Sequence, residues 1–141
     1  MDSAQNLIDQ GYAAHQAGDL QLAMEKYQAG AEVLRSMNEP LRLAHTIRHV
    51  ADIHRALERP DLAMAEYAEA LSIYRRQPTA GKLDIANTLR GYALAMETLQ
   101  QFRIARMWWT EARNLYGEVD VQAGVDEAER RIKLLDEIGR A

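Results

Sequence analysis

The sequence predicts an all-α protein built as three antiparallel helical hairpins in series, a right-handed superhelical array closed by a C-terminal capping helix. Three observations predict it. Residues 20–31, 60–71 and 102–113 superimpose, each placing an alanine (Ala23, Ala63, Ala105) four residues before an aromatic (Tyr27, Tyr67, Trp109). A small residue (Gly30, Ala70, Ala112) follows three residues later, and Leu34, Tyr74 or Tyr116 four further on. Steps of four, three and four draw one face of an α-helix. The second observation is a matching helix before each copy, where Ala44, Ile47, Val50, Ala51 and His54 recur as Ala86, Leu89, Tyr92, Ala93 and Met96. The third is the terminal segment 121–138, which sets Val125, Ala128, Ile132, Leu135 and Ile138 on one side. Asp126, Glu127, Glu129, Arg130, Lys133, Asp136 and Glu137 lie on the other, the pattern of an amphipathic cap.

The elements follow in order. Helices are predicted over 3–17, 20–37, 40–57, 60–76, 80–98, 101–117 and 121–138, with no strand. They group into one domain over 1–141, with repeats at about 3–37, 40–76 and 80–117 and the cap at about 121–138. The first copy of the leading helix is the weakest, carrying only Leu7, Gln10, Gly11 and Ala14 at the matching positions. Gly18 and Asp19 close the first hairpin as a helix C-cap and the next helix's N-cap. Pro60 suits a first helical position, where its missing N–H costs nothing. The turn at Gln100-Gln101 carries no such signal. Small residues at Ala23, Ala51, Ala63, Ala93 and Ala105 let antiparallel helices approach closely, at about 8–10 Å.

Composition narrows the function. The 141 residues are 48% hydrophobic and 27% charged with a net charge of −4, which argues against a general nucleic-acid binder. No apolar run approaches the ~20 residues of a membrane span, and the first residues lack the features of a secretory signal. There is no cysteine, hence no disulfide or thiolate site, and a reducing, cytoplasmic setting is the simpler expectation. No serine sits in a glycine-flanked turn and no glycine-rich phosphate loop exists, so no catalytic residue and no cofactor is expected. His45 and His49 stand at a spacing that can chelate a metal. With no glutamate between them, no third ligand in sequence and Arg48 adjacent, the expected metal assignment is none.

The pattern resembles the tetratricopeptide repeat family along nearly the whole chain. The matching residues are Gly11, Ala14, Ala23, Tyr27 and Gly30, then Ala51, Ala63, Tyr67 and Ala70, then Ala93, Ala105, Trp109 and Ala112. The copies are 40 and 42 residues apart, from Ala23 to Ala63 to Ala105. That period is similar to the longer variant of kinesin light chains and bacterial regulators, and HEAT-type repeats share it. The resemblance implies a non-enzymatic binding module whose leading helices line a concave groove. Its stripe would comprise Ile8 and Tyr12, then His45, Arg48, Asp52 and Arg55, then Asn87, Arg90, Leu94 and Glu97, with Gln5 and His15 at the edges. Asp126, Glu129, Lys133 and Asp136 would extend it along the cap. The expected partner is a protein or peptide segment with an acidic group near an apolar side chain, gripped by Arg48 and Arg90, with no nucleic acid and no membrane. The family's basic clamp for chaperone C-termini is absent, since Ile8, Tyr12, His49, Asn87 and Gly91 occupy its positions. Trp108 is a further expectation: its equivalents are Lys26 and Glu66, so the position should face solvent, where it either offers a surface for a homodimer or packs on the capping helix over Ile132 or Leu135.

Overall fold

In the computed structural model, residues 2–140 are described. They form seven helices and no strand: α1 (Ser3–Gln16), α2 (Leu20–Ser36), α3 (Pro40–Ala56), α4 (Pro60–Arg75), α5 (Lys82–Thr98), α6 (Phe102–Glu118) and α7 (Gln122–Arg140). Every predicted helix is present within about two residues at each end. The chain divides after Pro78 into two compact units, the first holding α1 to α4 and the second α5 to α7.

One turn design recurs. Gly18, Asn38, Glu58, Gln100 and Asp120 all have φ between 55° and 80°. Each follows the last turn of its helix, and its successor's N–H bonds five residues back: Asp19 to Ala14, Glu39 to Leu34, Arg59 to His54, Gln101 to Met96, Val121 to Tyr116. This left-handed closure satisfies carbonyls that a helix end would otherwise leave unpaired. Only Gly18 adopts the conformation freely. Glu58 and Gln100 carry a cost of roughly 1 kcal/mol for it, offset by the backbone bonds they complete. The next helix then starts with Asp19, whose carboxylate accepts from the Leu22 N–H at 3.1 Å, or with Pro40 or Pro60 in the first turn.

In the first unit the core joins three helices. Ala14, Ala23, Tyr27, Val50 and Ile53 are buried together, with Ile8, Leu20 and Met24 packed on them. Gly11 permits the closest approach, because a Cβ there would lie 3.0 Å from the Tyr27 ring. Arg42 on α3 ties down the start of α1, bonding Asp2 at 3.3 Å, Gln5 at 3.3 Å and Glu39 at 2.9 Å. Asp2 itself caps α1 by accepting from the Gln5 N–H at 2.7 Å, the main reason its carboxyl titrates below the usual range. In the second unit Ala86, Leu89, Ala93, Met96, Ala105, Trp109, Ala112 and Tyr116 are buried, covered on α7 by Ala128, Ile132 and Leu135. Ile138 departs from the predicted inner stripe and is 41% exposed. Glu127 and Asp136 depart from the predicted outer face, because each is paired with an arginine of the unit.

Candidate binding face of the leading helices

The buried aromatics decide what the predicted stripe can do. Tyr67 on α4 is fully buried, yet its hydroxyl must find partners. It donates a short hydrogen bond to Asp52 and accepts from Arg55 Nε at 3.2 Å. Burial, then the Asp52 charge, pushes this phenol well above its ordinary pKa. Trp109 repeats the arrangement one hairpin on: its Nε1 donates to Glu97 at 2.6 Å. Arg55 and Glu97 are equivalent positions, each twelve residues before the aromatic it serves. Tyr116 donates to Asn87 at 2.7 Å. Asp52, Arg55, Asn87 and Glu97 thus anchor the second helix of the second and third hairpins as well as lining the first helix of each.

The two arginines differ. Arg90 gives Nε and Nη2 to Glu127 at 2.6 and 3.0 Å, a paired contact that holds the Glu127 carboxyl below its usual range. Glu97 takes Arg131 of α7 through a second bidentate contact. Glu127 and Arg131, rather than the predicted Asp126 and Glu129, are therefore the α7 residues that meet α5. Asp136 turns to α6 and pairs with Arg106 at 2.6 Å. Arg48 is engaged more loosely, through Nη1 to Asp52 at 3.3 Å, and its buried Nε has no acceptor among the described residues.

Around Arg48 the first unit presents an aromatic surface. Tyr12 is 58% exposed, Ile8 is half-buried and His45 is exposed. His49 stacks on Tyr27 with ring centroids 5.0 Å apart and planes 7° from parallel. Burial, then the charges of Arg48, His45 and His15, hold the His49 imidazole down at about 3. Because the folded pKa lies below the ordinary 6.5, the unfolded chain binds the extra proton. The stability owed to neutral His49 is complete above about pH 6.5 and is lost as pH falls toward about 3. Denaturation between about pH 6.5 and 5, before carboxylates dominate, should show a shallower loss in His49→Gln than in the parent. Equal slopes would contradict the assignment.

One expectation changes on this evidence. Trp108 is not an open surface residue: it is half-buried, with its ring 5.2 Å from that of Tyr92 on α5. The position is half-buried in every copy, and at Glu66 it reaches the buried His54 at 2.6 Å. Leu94, placed on the stripe, is half-buried, as is Ile8. Sequence reasoning missed Glu127 and Arg131, although one signal existed: Arg42 reaches Gln5, and Arg90 reaches Glu127, both across 37 residues. That interval is the repeat period less about one helical turn, the offset at which neighbouring leading helices face each other.

No family model and no curated protein matches the chain. Solved structures do. The first tetratricopeptide domain of Spaghetti (RPAP3), bound to the HSP90 peptide SRMEEVD, superposes with a TM-score of 0.77 at 15% identity, covering 100% of this chain and 98% of that one. BtubC (BKLC) from P. vanneervenii superposes with a TM-score of 0.71 at 14% identity, covering 94% of this chain and 64% of that one. At these identities the likeness is one of fold, and the fold is the tetratricopeptide type. Among the described residues no helix is long and apolar enough to cross a membrane.

Proposed function

We propose that the chain is a non-enzymatic, cytoplasmic adaptor module that binds a protein or peptide segment along its leading helices. One observation carries the reading: an exposed Tyr12 beside a half-buried Ile8, with the incompletely used guanidinium of Arg48 nearby. Gly11 and His49, the sequence neighbours of Tyr12 and Arg48, both lie against the Tyr27 ring, which brings the two side chains to one neighbourhood. The pairing suits a segment with an apolar side chain next to a carboxylate, the first seated on Tyr12 and Ile8 and the second on Arg48. Guanidinium fits because it offers paired donors to a planar anion and stays charged. His45 borders the same face, while Asp52 and Arg55 order it from behind. Within the second unit, Asn87, Arg90, Leu94 and Glu97 form a stripe of their own, where Arg90 must exchange Glu127 for an incoming carboxylate. The likeness to a domain seen with an acidic peptide supports a peptide ligand in general. The residues at the chaperone-clamp positions of this chain argue for a different sequence preference.

Selection from a random peptide library tests the reading. Captured sequences should be enriched in Asp or Glu next to Leu, Phe or Met, and should bind more weakly as salt rises. Tyr12→Ala with Arg48→Ala should lower affinity at least tenfold while the chain keeps its helicity, with some loss of Tm because the Arg48 side chain is largely buried on Asp52. Enrichment of basic sequences, or undiminished capture by the Tyr12/Arg48 variant, would overturn it.

A further inference from the structure

His45 and His49 lie one turn apart on α3, in the middle of an uninterrupted helix. Their Nε2 atoms meet at 3.1 Å, with the rings 78° from parallel. We propose that this pair is an open two-nitrogen chelate for a divalent transition-metal ion of the Cu²⁺ or Ni²⁺ type. An imidazole nitrogen binds such ions at about 2.0–2.1 Å. Two nitrogens 3.1 Å apart then subtend roughly 95–100° at the metal, nearer the right angle of a tetragonal site than the angle of a tetrahedral one. To accept an ion, the hydrogen between the two Nε2 atoms moves to the Nδ1 of the ring that carries it, and ring rotations bring both lone pairs to a point beside the Nε2–Nε2 line.

Two features prepare the pair. The His49 ring is held by its stack on Tyr27, and both histidines project from consecutive turns of one helix. The charge of Arg48 opposes an incoming cation but is partly offset by Asp52 at 3.3 Å. Because the local field does not help, coordination bonds must carry the affinity, which favours Cu²⁺ over Zn²⁺. No cluster of three metal-binding side chains exists among the described residues, so the remaining positions fall to water. Exposed His45 keeps the site open to solvent.

The test is a Cu²⁺ titration of the metal-free full chain by calorimetry, with paramagnetic resonance of the loaded protein and no peptide present. Failure of the peptide reading therefore leaves it intact. One equivalent should bind with a spectrum showing two nitrogen donors. His45→Ala, at an exposed position, should weaken binding at least tenfold while the metal-free protein keeps its helicity and Tm. His49→Gln should weaken binding likewise, and His15→Ala should leave binding unchanged. A single-nitrogen spectrum, tight binding that survives in His45→Ala, or equal loss in His15→Ala would overturn the assignment.

Discussion

Replacing Trp109 with alanine should cost roughly 3–5 kcal/mol, as much as any single change in the chain. The ring is completely buried between α5, α6 and α7, and its removal leaves a cavity that close-packed alanines cannot collapse to fill. Ala93, Ala105 and Ala112 around it are themselves fully buried. The indole also serves a charge. Its Nε1 donates to Glu97 at 2.6 Å, and Glu97, with its side chain 11% exposed, otherwise pairs among the described residues with Arg131. Trp109→Phe separates the two effects. It keeps most of the volume, so its loss of about 1.5–3 kcal/mol would report a hydrogen bond to a buried carboxylate. Urea denaturation followed by circular dichroism measures both. A domain has only about 5–15 kcal/mol to lose, so Trp109→Ala should populate unfolded chains well below the parent's Tm. A cost under about 1 kcal/mol would mean that the ring is not in the core.

Trp109 also shows what could be read from the sequence. Its place in the small–aromatic–small repeat marked it as core before any coordinates, as it did for Tyr27 and Tyr67. Helix periodicity is a property of chain geometry, and it survives in any single copy. The binding face was less legible. A polar residue on an amphipathic helix has no sequence mark separating a ligand contact from a tether. Arg55 and Glu97 were placed on the stripe by position, whereas their charges are used by the aromatic twelve residues on. Arg48 and Arg90 looked equivalent until their partners were known, because a paired guanidinium is decided by which carboxylate the next helix brings. Trp108 misled for a related reason: its equivalents are charged, but charge at a half-buried position need not mean solvent, as Glu66 on His54 illustrates. The turns hid a different fact. Glu58 and Gln100 have φ near 60° with no residue preference to announce it, the conformation being imposed by the helices on either side.

Gly124 is the position where a single methyl should matter most. An ideal Cβ there would sit 2.5 Å from Tyr116 Cγ and 2.6 and 2.7 Å from its Cδ atoms. Those distances are far inside van der Waals contact. The ring has nowhere to go, since Tyr116 is 3% exposed and its hydroxyl is held by Asn87 at 2.7 Å. Gly124→Ala must therefore shift α7 or break that hydrogen bond, and the expected cost is at the upper end of about 1–3 kcal/mol for overpacking. Helix propensity acts the other way, favouring alanine by up to about 1 kcal/mol, so the measured loss is what remains after that gain. Gly117→Ala isolates the gain. It lies in α6, and its Cβ would find only Val125, at 3.9 Å. That variant should be neutral or more stable than the parent while Gly124→Ala is less stable. The cause can be checked by adding Tyr116→Leu, which removes the ring. If the ring is the obstacle, Gly124→Ala should cost much less in that background, a coupling well above the few tenths of a kcal/mol expected of independent sites. Additive losses would place the obstruction elsewhere on α6.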